Sequence, residues 1–290
     1  MRYPLLKAMR PKQWLKNVFV LAGLFFDARL LDRVALLRSL GAFIIFCAIS
    51  SAIYLTNDLA DIENDRRHPT KRHRPLASGA LPPGVARVTA GLLAIGGLIG
   101  ALLLNTGLFW IVLVYLGMMT LYNHWLKHMV IIDVLTIAFG FVLRVYAGAI
   151  VVQVSRFSPW LYVCTTLLAL FIALNRRRHE IILLQQDANN HRAILEEYSI
   201  PFLDEMTSLV TATTIAAYSF YTFSAPNLPP NHTMMLTIPF VLYGIFRYLY
   251  LIHVRRLGGA PEEVVLGDRP LMISILLWAM TAGLVLYGPW

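Results

Sequence analysis

The chain has 290 residues, of which 58% are hydrophobic and only 14% charged, whereas a soluble domain carries about a quarter charged residues; a soluble globular protein is excluded. The net charge of +9 would suggest nucleic acid in a soluble chain, but in one this apolar it is better explained by cytoplasmic loops and by anionic lipid or phosphate ligands. Cys47 and Cys164 both fall in apolar runs, so neither a disulfide framework nor a cysteine metal site is expected.

Apolar runs of roughly 20 residues recur along the chain without strict alternation, which predicts membrane-spanning helices rather than a β-barrel. The N-terminal 1–17, MRYPLLKAMRPKQWLKN, is basic, carries Trp14 and shows no small-residue cleavage site. It reads as an uncleaved interfacial segment leading into the first span. The expected spans are 18–35, 38–57, 86–104, 108–125, 130–152, 158–175, 207–224, 234–253 and 271–289. These nine helices make one integral membrane domain over 1–290. With the N-terminus inside, the cytoplasmic segments are 1–17, 58–87, 123–129, 175–206 and 254–270. They hold 19 of the 25 Lys and Arg residues. The outside loops hold only Arg29, Arg33, Arg38 and Arg156, and this bias places the C-terminus outside. The long polar loops therefore face the cytoplasm, where a soluble substrate would be met.

The densest charge follows the second span, in YLTNDLADIENDRRHPTKRHRPLASG at 54–79. Asp58, Asp61 and Asp65 are spaced i, i+3, i+7, one face of a helix, with Asn57 opening the series and Pro69 expected to stop the helix. Like charges stacked this way repel unless a cation neutralises them. Carboxylate oxygens suit Mg²⁺, which completes its shell with substrate phosphates and water. Asn57, Asp58, Asp61 and Asp65 thus read as a Mg²⁺–diphosphate site at the membrane surface, with Asn57 and Asp61 ranked first as ligands. Arg66, Arg67, Lys71, Arg72 and Arg74 can take the remaining phosphate oxygens, the arginines by two-pronged contacts. A bland alternative is a solvated charged loop that only sets topology. Tyr54 lies one turn before Asp58 on the same face.

Further along, YNHWLKHMVIID supplies Tyr122, Lys127 and Asp133. Asp133 and Arg144 share a face of the fifth span about three turns apart; ionisable groups at that depth line a cavity or pair with one another. The end of the sixth span, LNRRRHEIILL, offers Arg177 and Glu180, or simply a positive stop cluster. Asp268 and Arg269 in GAPEEVVLGDRPL belong to a lid or a plain loop. His124, His128 and His179 lack metal-ligand spacing.

An NDxxDxxxD motif closing the second span, followed by RPLASG, resembles the UbiA superfamily of membrane prenyltransferases over essentially the whole chain. Four stretches resemble its polyprenyl-phosphate (decaprenyl-phosphate) phosphoribosyltransferase branch more narrowly: RPKQWLKN at 10–17, DRRHPTKRHRP at 65–75, LKH at 126–128 with Asp133 and GFVLRVYAG at 140–148, and PEEVVLGDR at 261–269. The second Asp-rich motif of aromatic prenyltransferases is replaced here by NRRRHEI. The resemblance implies a nine-helix, all-α bundle with a cytoplasm-facing active site, in a bacterial-type inner membrane.

It further implies Mg²⁺-dependent transfer of 5-phosphoribosyl from phosphoribosyl diphosphate to a polyprenyl phosphate, a step toward cell-wall arabinan. Asp58, Asp61, Asp65 and Asp133 would be catalytic, Asp133 by orienting a ribose hydroxyl or a lysine. Lys12, Lys16, Tyr54, Arg66, Lys71, Arg72, Arg74, Tyr122, Lys127, Arg144, Arg177 and Glu180 would contact substrate. A homo-oligomer is compatible with this reading. Two rivals stay open: an aromatic prenyltransferase using prenyl diphosphate, and an anion transporter.

Overall fold

The computed structural model describes residues 3–67, 71–154, 158–185, 197–257 and 261–288. Among them there are helices and no strands. They are α1 (Pro4–Met9), a 3-10 helix (Pro11–Leu21), α2 (Ala22–Phe26), α3 (Arg33–Ala60), α4 (Ile62–Arg67), α5 (Pro83–Leu104), α6 (Thr106–His124), α7 (Ile132–Val152), α8 (Pro159–Gln185), α9 (Ile200–Ser224), α10 (Ile238–His253), α11 (Pro261–Gly267) and α12 (Arg269–Tyr287). Seven segments among the described residues are long and apolar enough to cross a membrane: α3, α5, α6, α7, α8 to Ile182, Thr233–His253 and α12. Each overlaps an expected span. The seventh expected span, 207–224, coincides with the helix α9, which lies outside that apolar set. The expected stop at Pro69, the outside Arg156 and the middle of the 175–206 loop lie outside the described residues.

The first expected span, 18–35, is not one helix. The chain forms eleven residues of 3-10 helix and then five of α-helix, and α3 begins only at Arg33. A 3-10 helix rises about 2.0 Å per residue and an α-helix 1.5 Å. Pro11–Phe26 is therefore about 30 Å long, the thickness of a hydrocarbon core. Side chains three apart eclipse in a 3-10 helix, and Trp14, Asn17 and Val20 form such a row. Trp14 Nε1 donates to Ser51 Oγ at 3.0 Å, and Asn17 and Val20 are buried. An apolar window cannot reveal this tighter winding.

Helix starts follow local chemistry. Asp32 caps α3 by accepting from Val34 N and Ala35 N at 2.9 and 3.1 Å. Asn105, Ser199 and Asp268 cap α6, α9 and α12 in the same manner. Along α5, Val88, Leu92, Ile95, Ile99 and Leu102 are all exposed. Their 3–4 spacing makes a lipid-facing stripe that water would not tolerate.

The described chain divides into two compact units. One takes the chain up to Leu24, then Leu30–Leu126 and Leu143–Gln153; the other takes Phe25–Arg29, Lys127–Val142 and everything from Val154. In the first, Ala8 of α1, Leu55 of α3, Leu76, Leu81 and two alanines of α5 form one core. This packs the N-terminal basic helix against the end of α3 and the segment after α4. Gly148 of α7 permits a backbone crossing in the same unit: a Cβ there would lie 1.8 Å from the Val20 carbonyl oxygen. In the second unit, Val134, Leu174, Ile181, Tyr198 and Leu203 form one cluster. Phe171, Ile245, Tyr248, Leu251, Val264 and Leu271 form another.

Candidate functional site

The acidic motif straddles a bend. α3 ends at Ala60, Asp61 is its C-cap and α4 restarts at Ile62. The face expected from the spacing survives it: Arg74 Nη1 donates to Asp58 Oδ1 at 3.1 Å and to Asp65 Oδ2 at 2.7 Å. Both carboxylates are buried, 2% and 3% exposed. Asp58 Oδ1 also accepts from Arg10 Nη2 at 2.5 Å. Arg10 stands in the left-handed region (φ 55°), between α1 and the 3-10 helix. Its guanidinium lies 4.9 Å from the Tyr54 ring centroid, a cation–π distance. Asn57 and Asp61 are half-buried beside this pair.

A cavity of about 290 Å³ opens on this cluster, lined by Lys7, Ala8, Arg10, Asp58, His73, Arg74 and Pro75. Its wall carries three basic side chains, a histidine and one carboxylate, the composition of an anion pocket. Lys7, Arg10 and His73 were absent from the expected site. The signal for Arg10 was present in RPKQWLKN; its partner across 48 residues was not. Of the expected phosphate contacts, Arg74 reaches both buried acids. Arg66 donates to Glu63 Oε1 at 2.8 Å and to the Ala77 carbonyl at 3.3 Å. Lys71 and Arg72 sit on a short exposed 3-10 turn. Lys12 is exposed, and Lys16 donates to Gln13.

Whether these residues suit Mg²⁺ depends on the donor set. All four expected ligands offer hard oxygens. Asp58 and Asp65 already gather around a single positive nitrogen. Among the described residues no three His, Cys, Asp or Glu side chains converge into a metal cage. Mg²⁺ is characteristically held by one or two carboxylates together with substrate phosphates. The set therefore fits a magnesium ion that shares its shell with a substrate.

Arg144, expected on the face of Asp133, belongs to another network. Eleven helical residues separate the two by about 16 Å, so they are not an ion pair. Arg144 is buried in the first unit; its Nε donates to Asn17 Oδ1 at 2.8 Å and its Nη2 to Tyr115 OH at 2.6 Å. Asn17 in turn accepts from Ser50 Oγ at 3.3 Å. This arginine thus ties α7 to the 3-10 helix and α6. Tyr122 and Lys127 are half-buried at the end of α6 and on the following turn.

In the second unit Asp133 is completely buried. Its Oδ2 accepts from Arg177 Nε at 2.6 Å and its Oδ1 from Tyr198 OH at 2.8 Å. Arg177 also pairs with Glu180, which is bonded by Arg176 at 3.2 Å. Tyr198 OH accepts from Ile131 N at 2.7 Å. Burial first, then the Asp133 carboxylate, push the Tyr198 phenol up to about 12, so it remains a neutral donor. Ile131 has φ 68°, a left-handed conformation that a β-branched residue rarely adopts. Arg178 reaches Asp204 at 2.6 Å, and His253 lies 3.3 Å from the same oxygen. Tyr198 and Tyr115 carry no motif character in the sequence, and although Asn17 closes the RPKQWLKN stretch, only the fold reveals its partner Arg144.

Comparison with known proteins agrees with this architecture. The decaprenyl-phosphate phosphoribosyltransferase of Mycolicibacterium smegmatis is 33% identical over 98% of this chain and 92% of that protein. The Corynebacterium glutamicum protein of the same name is 34% identical over 98% and 86%. A UbiA homolog from Archaeoglobus fulgidus, solved bound to GPP and Mg²⁺, superposes with a TM-score of 0.74 over 98% of this chain and 99% of its own at 17% identity. Residues 17–262 match the UbiA prenyltransferase family. The protein is a polytopic, all-helical membrane transferase, and it belongs to the UbiA prenyltransferase family.

Proposed function

We propose that the chain transfers 5-phosphoribosyl from phosphoribosyl diphosphate to a polyprenyl phosphate, releasing diphosphate. The observation that carries this reading is the cavity in which Lys7, Arg10, His73 and Arg74 stand around the buried Asp58, with Asp65 joined to it through Arg74: it combines phosphate recognition with metal-compatible carboxylates. The near full-length likeness to the two phosphoribosyltransferases supports the choice of donor. Arginine-rich chemistry at the end of α8, in place of a second acidic motif, supports it over prenyl transfer to an aromatic ring.

In this reading a phosphate oxygen of the lipid attacks the anomeric carbon. The bond from that carbon to the diphosphate oxygen breaks, and its electron pair leaves with diphosphate. Phosphate monoesters have a second pKa near 6, so the nucleophile is ionised at neutral pH and no general base is required. Asn57, Asp58, Asp61 and Asp65 would hold Mg²⁺, which would supply positive charge that eases departure of the diphosphate. Lys71, Arg72 and Arg74 stabilise charge growing on the leaving group. Asp133, with both oxygens engaged, orients Arg177 and Tyr198. Lys12, Lys16, Tyr54, Arg66, Tyr122, Lys127, Arg144 and Glu180 act as contacts or supports. The reaction faces the cytoplasm of a bacterial inner membrane, with the N-terminus inside, and supplies arabinan precursors.

The test is transfer of label. Purified protein in detergent is incubated with Mg²⁺, polyprenyl phosphate and ribose-labelled phosphoribosyl diphosphate, and the lipid is extracted. Mg²⁺-dependent label in the lipid phase is expected, and Asp61→Asn should lose it while remaining folded. Activity with prenyl diphosphate and an aromatic acceptor instead, across several lipid chain lengths, would transfer the protein to the other reaction class. Normal turnover by Asp61→Asn would sink the metal assignment.

A further inference from the structure

We propose that Arg10 and Arg74 are exchangeable counter-ions, bonding Asp58 and Asp65 in one arrangement and phosphate oxygens of an incoming diphosphate in the other. The proposal rests on the function proposed above and makes its site one in which metal and diphosphate are admitted together.

The first ground is charge. Two carboxylates are taken out of water at Asp58 and Asp65, which is costly unless each is compensated. Arg10 and Arg74 supply two guanidiniums for the two of them. The second ground is position. A single nitrogen, Arg74 Nη1, lies 3.1 and 2.7 Å from the two carboxylates. A Mg²⁺ ion bound by both would need oxygens at 2.0–2.1 Å. The nitrogen and such an ion compete for one place, by volume and by charge.

The third ground is where a displaced guanidinium could go. Both arginine side chains are about a quarter exposed, 28% and 27%. Both line the cavity with Lys7 and His73. Neither has to leave a packed core to turn toward an anion there, and guanidinium matches phosphate as well as it matches carboxylate. The Tyr54 ring under Arg10 offers a face on which that side chain can pivot without losing its cation–π contact.

A divalent cation alone would therefore strand a guanidinium without its carboxylate. A cation arriving with diphosphate gives the guanidinium a new partner at once. Reciprocal coupling follows: each ligand raises the affinity for the other by the same factor. Removing the guanidinium should act with opposite signs on the two binding events.

The experiment uses full-length protein in detergent, with Mn²⁺ as the spectroscopic metal and inorganic diphosphate as the anion. Mn²⁺ binding is read by paramagnetic resonance and checked by thermal shift. Wild type should bind Mn²⁺ at least about fivefold more tightly with diphosphate present, the lower end of typical coupling. Arg74→Gln should bind Mn²⁺ alone more tightly than wild type and Mn²⁺ with diphosphate more weakly, bringing the coupling factor toward one. Arg10→Gln, which removes one carboxylate contact and leaves Arg74 in place, should move both affinities in the same directions. It keeps the idea testable if Arg74→Gln fails to fold.

Arg74→Gln and Arg10→Gln proteins that lose Mn²⁺ alone as severely as Mn²⁺–diphosphate would make the guanidiniums structural and overturn the exchange. So would wild type that binds both ligands without coupling, and in that case the proposed function stands. Wild type that binds neither Mn²⁺ nor diphosphate would remove the exchange and the proposed function together.

Discussion

Replacing Gly148 by alanine should destabilise the protein strongly, although alanine is the better helix former. The added Cβ would stand 1.8 Å from the Val20 carbonyl oxygen and 2.8 Å from its carbon. A separation under 3.0 Å is essentially never seen, so the two backbones must part by more than 1 Å. The obstacle is main chain, so no rotamer change relieves it. Overpacking costs about 1–3 kcal/mol in ordinary cores, and a backbone clash belongs at the top of that range. About 3 kcal/mol corresponds to a fall in Tm of roughly 6–12 °C for a chain of this size. Arg144, one turn earlier on α7, bonds Asn17 of the same 3-10 helix, so the separation would also stretch that bond. The assay is thermal unfolding in detergent. Gly96→Ala on α5 serves as control, because a Cβ there meets nothing within 4 Å and gains up to about 1 kcal/mol of helix propensity. If Gly148→Ala melts at or above the wild-type temperature, the close crossing of α7 and the 3-10 helix is wrong.

Asp133→Ala should cost about 3–5 kcal/mol, because it leaves the Arg177 guanidinium, 4% exposed, without the carboxylate at 2.6 Å. Tyr198→Phe should cost only about 1 kcal/mol, and a double-mutant cycle in thermal unfolding separates the two. A Tyr198→Phe loss as large as that of Asp133→Ala would contradict the assigned hierarchy. At α12, the hydrogen bond from Arg247 first, then the Leu271 N–H, hold the Asp268 carboxyl below its usual range. A depressed carboxylate stabilises the fold above its unfolded pKa, near 3.9. That contribution fades as pH falls through the folded value, and acid unfolding of Asp268→Asn should show a shallower pH dependence below about pH 4. An unchanged acid limb would count against the Arg247–Asp268 pair.

Most of the helical architecture is legible in the sequence because lipid imposes one simple demand, about 20 apolar residues per crossing. Seven windows met that demand in both the sequence and the structure. At the N-terminus the expected span 18–35 missed the actual winding, because a hydropathy window assumes 1.5 Å per residue and Pro11–Leu21 is wound more tightly. The shared acidic face was legible for a similar reason: the i, i+7 spacing keeps Asp58 and Asp65 on one face, both meeting Arg74, even across the bend at Asp61. Long-range partners were not. Nothing local links Arg10 to Asp58, Asn17 to Arg144 or Tyr198 to Asp133, separated by 48, 127 and 65 positions. The sequence displays each ionisable group, while tertiary packing decides which of them meet.

The three-fold winding of Pro11–Leu21 makes the N-terminus behave like a keyed shaft. Each residue of a 3-10 helix turns about 120° against about 100° in an α-helix. Deleting one residue between Trp14 and Val20 would rotate everything before it by a third of a turn and draw it about 2 Å along the axis. Trp14 would leave Ser51, and Arg10 would swing away from Asp58. The length of this short segment, counted in whole residues, therefore indexes the basic N-terminal helix against the acidic end of α3. Substitutions at its exposed side chains, Leu15 and Val18, should be far better tolerated than any insertion or deletion.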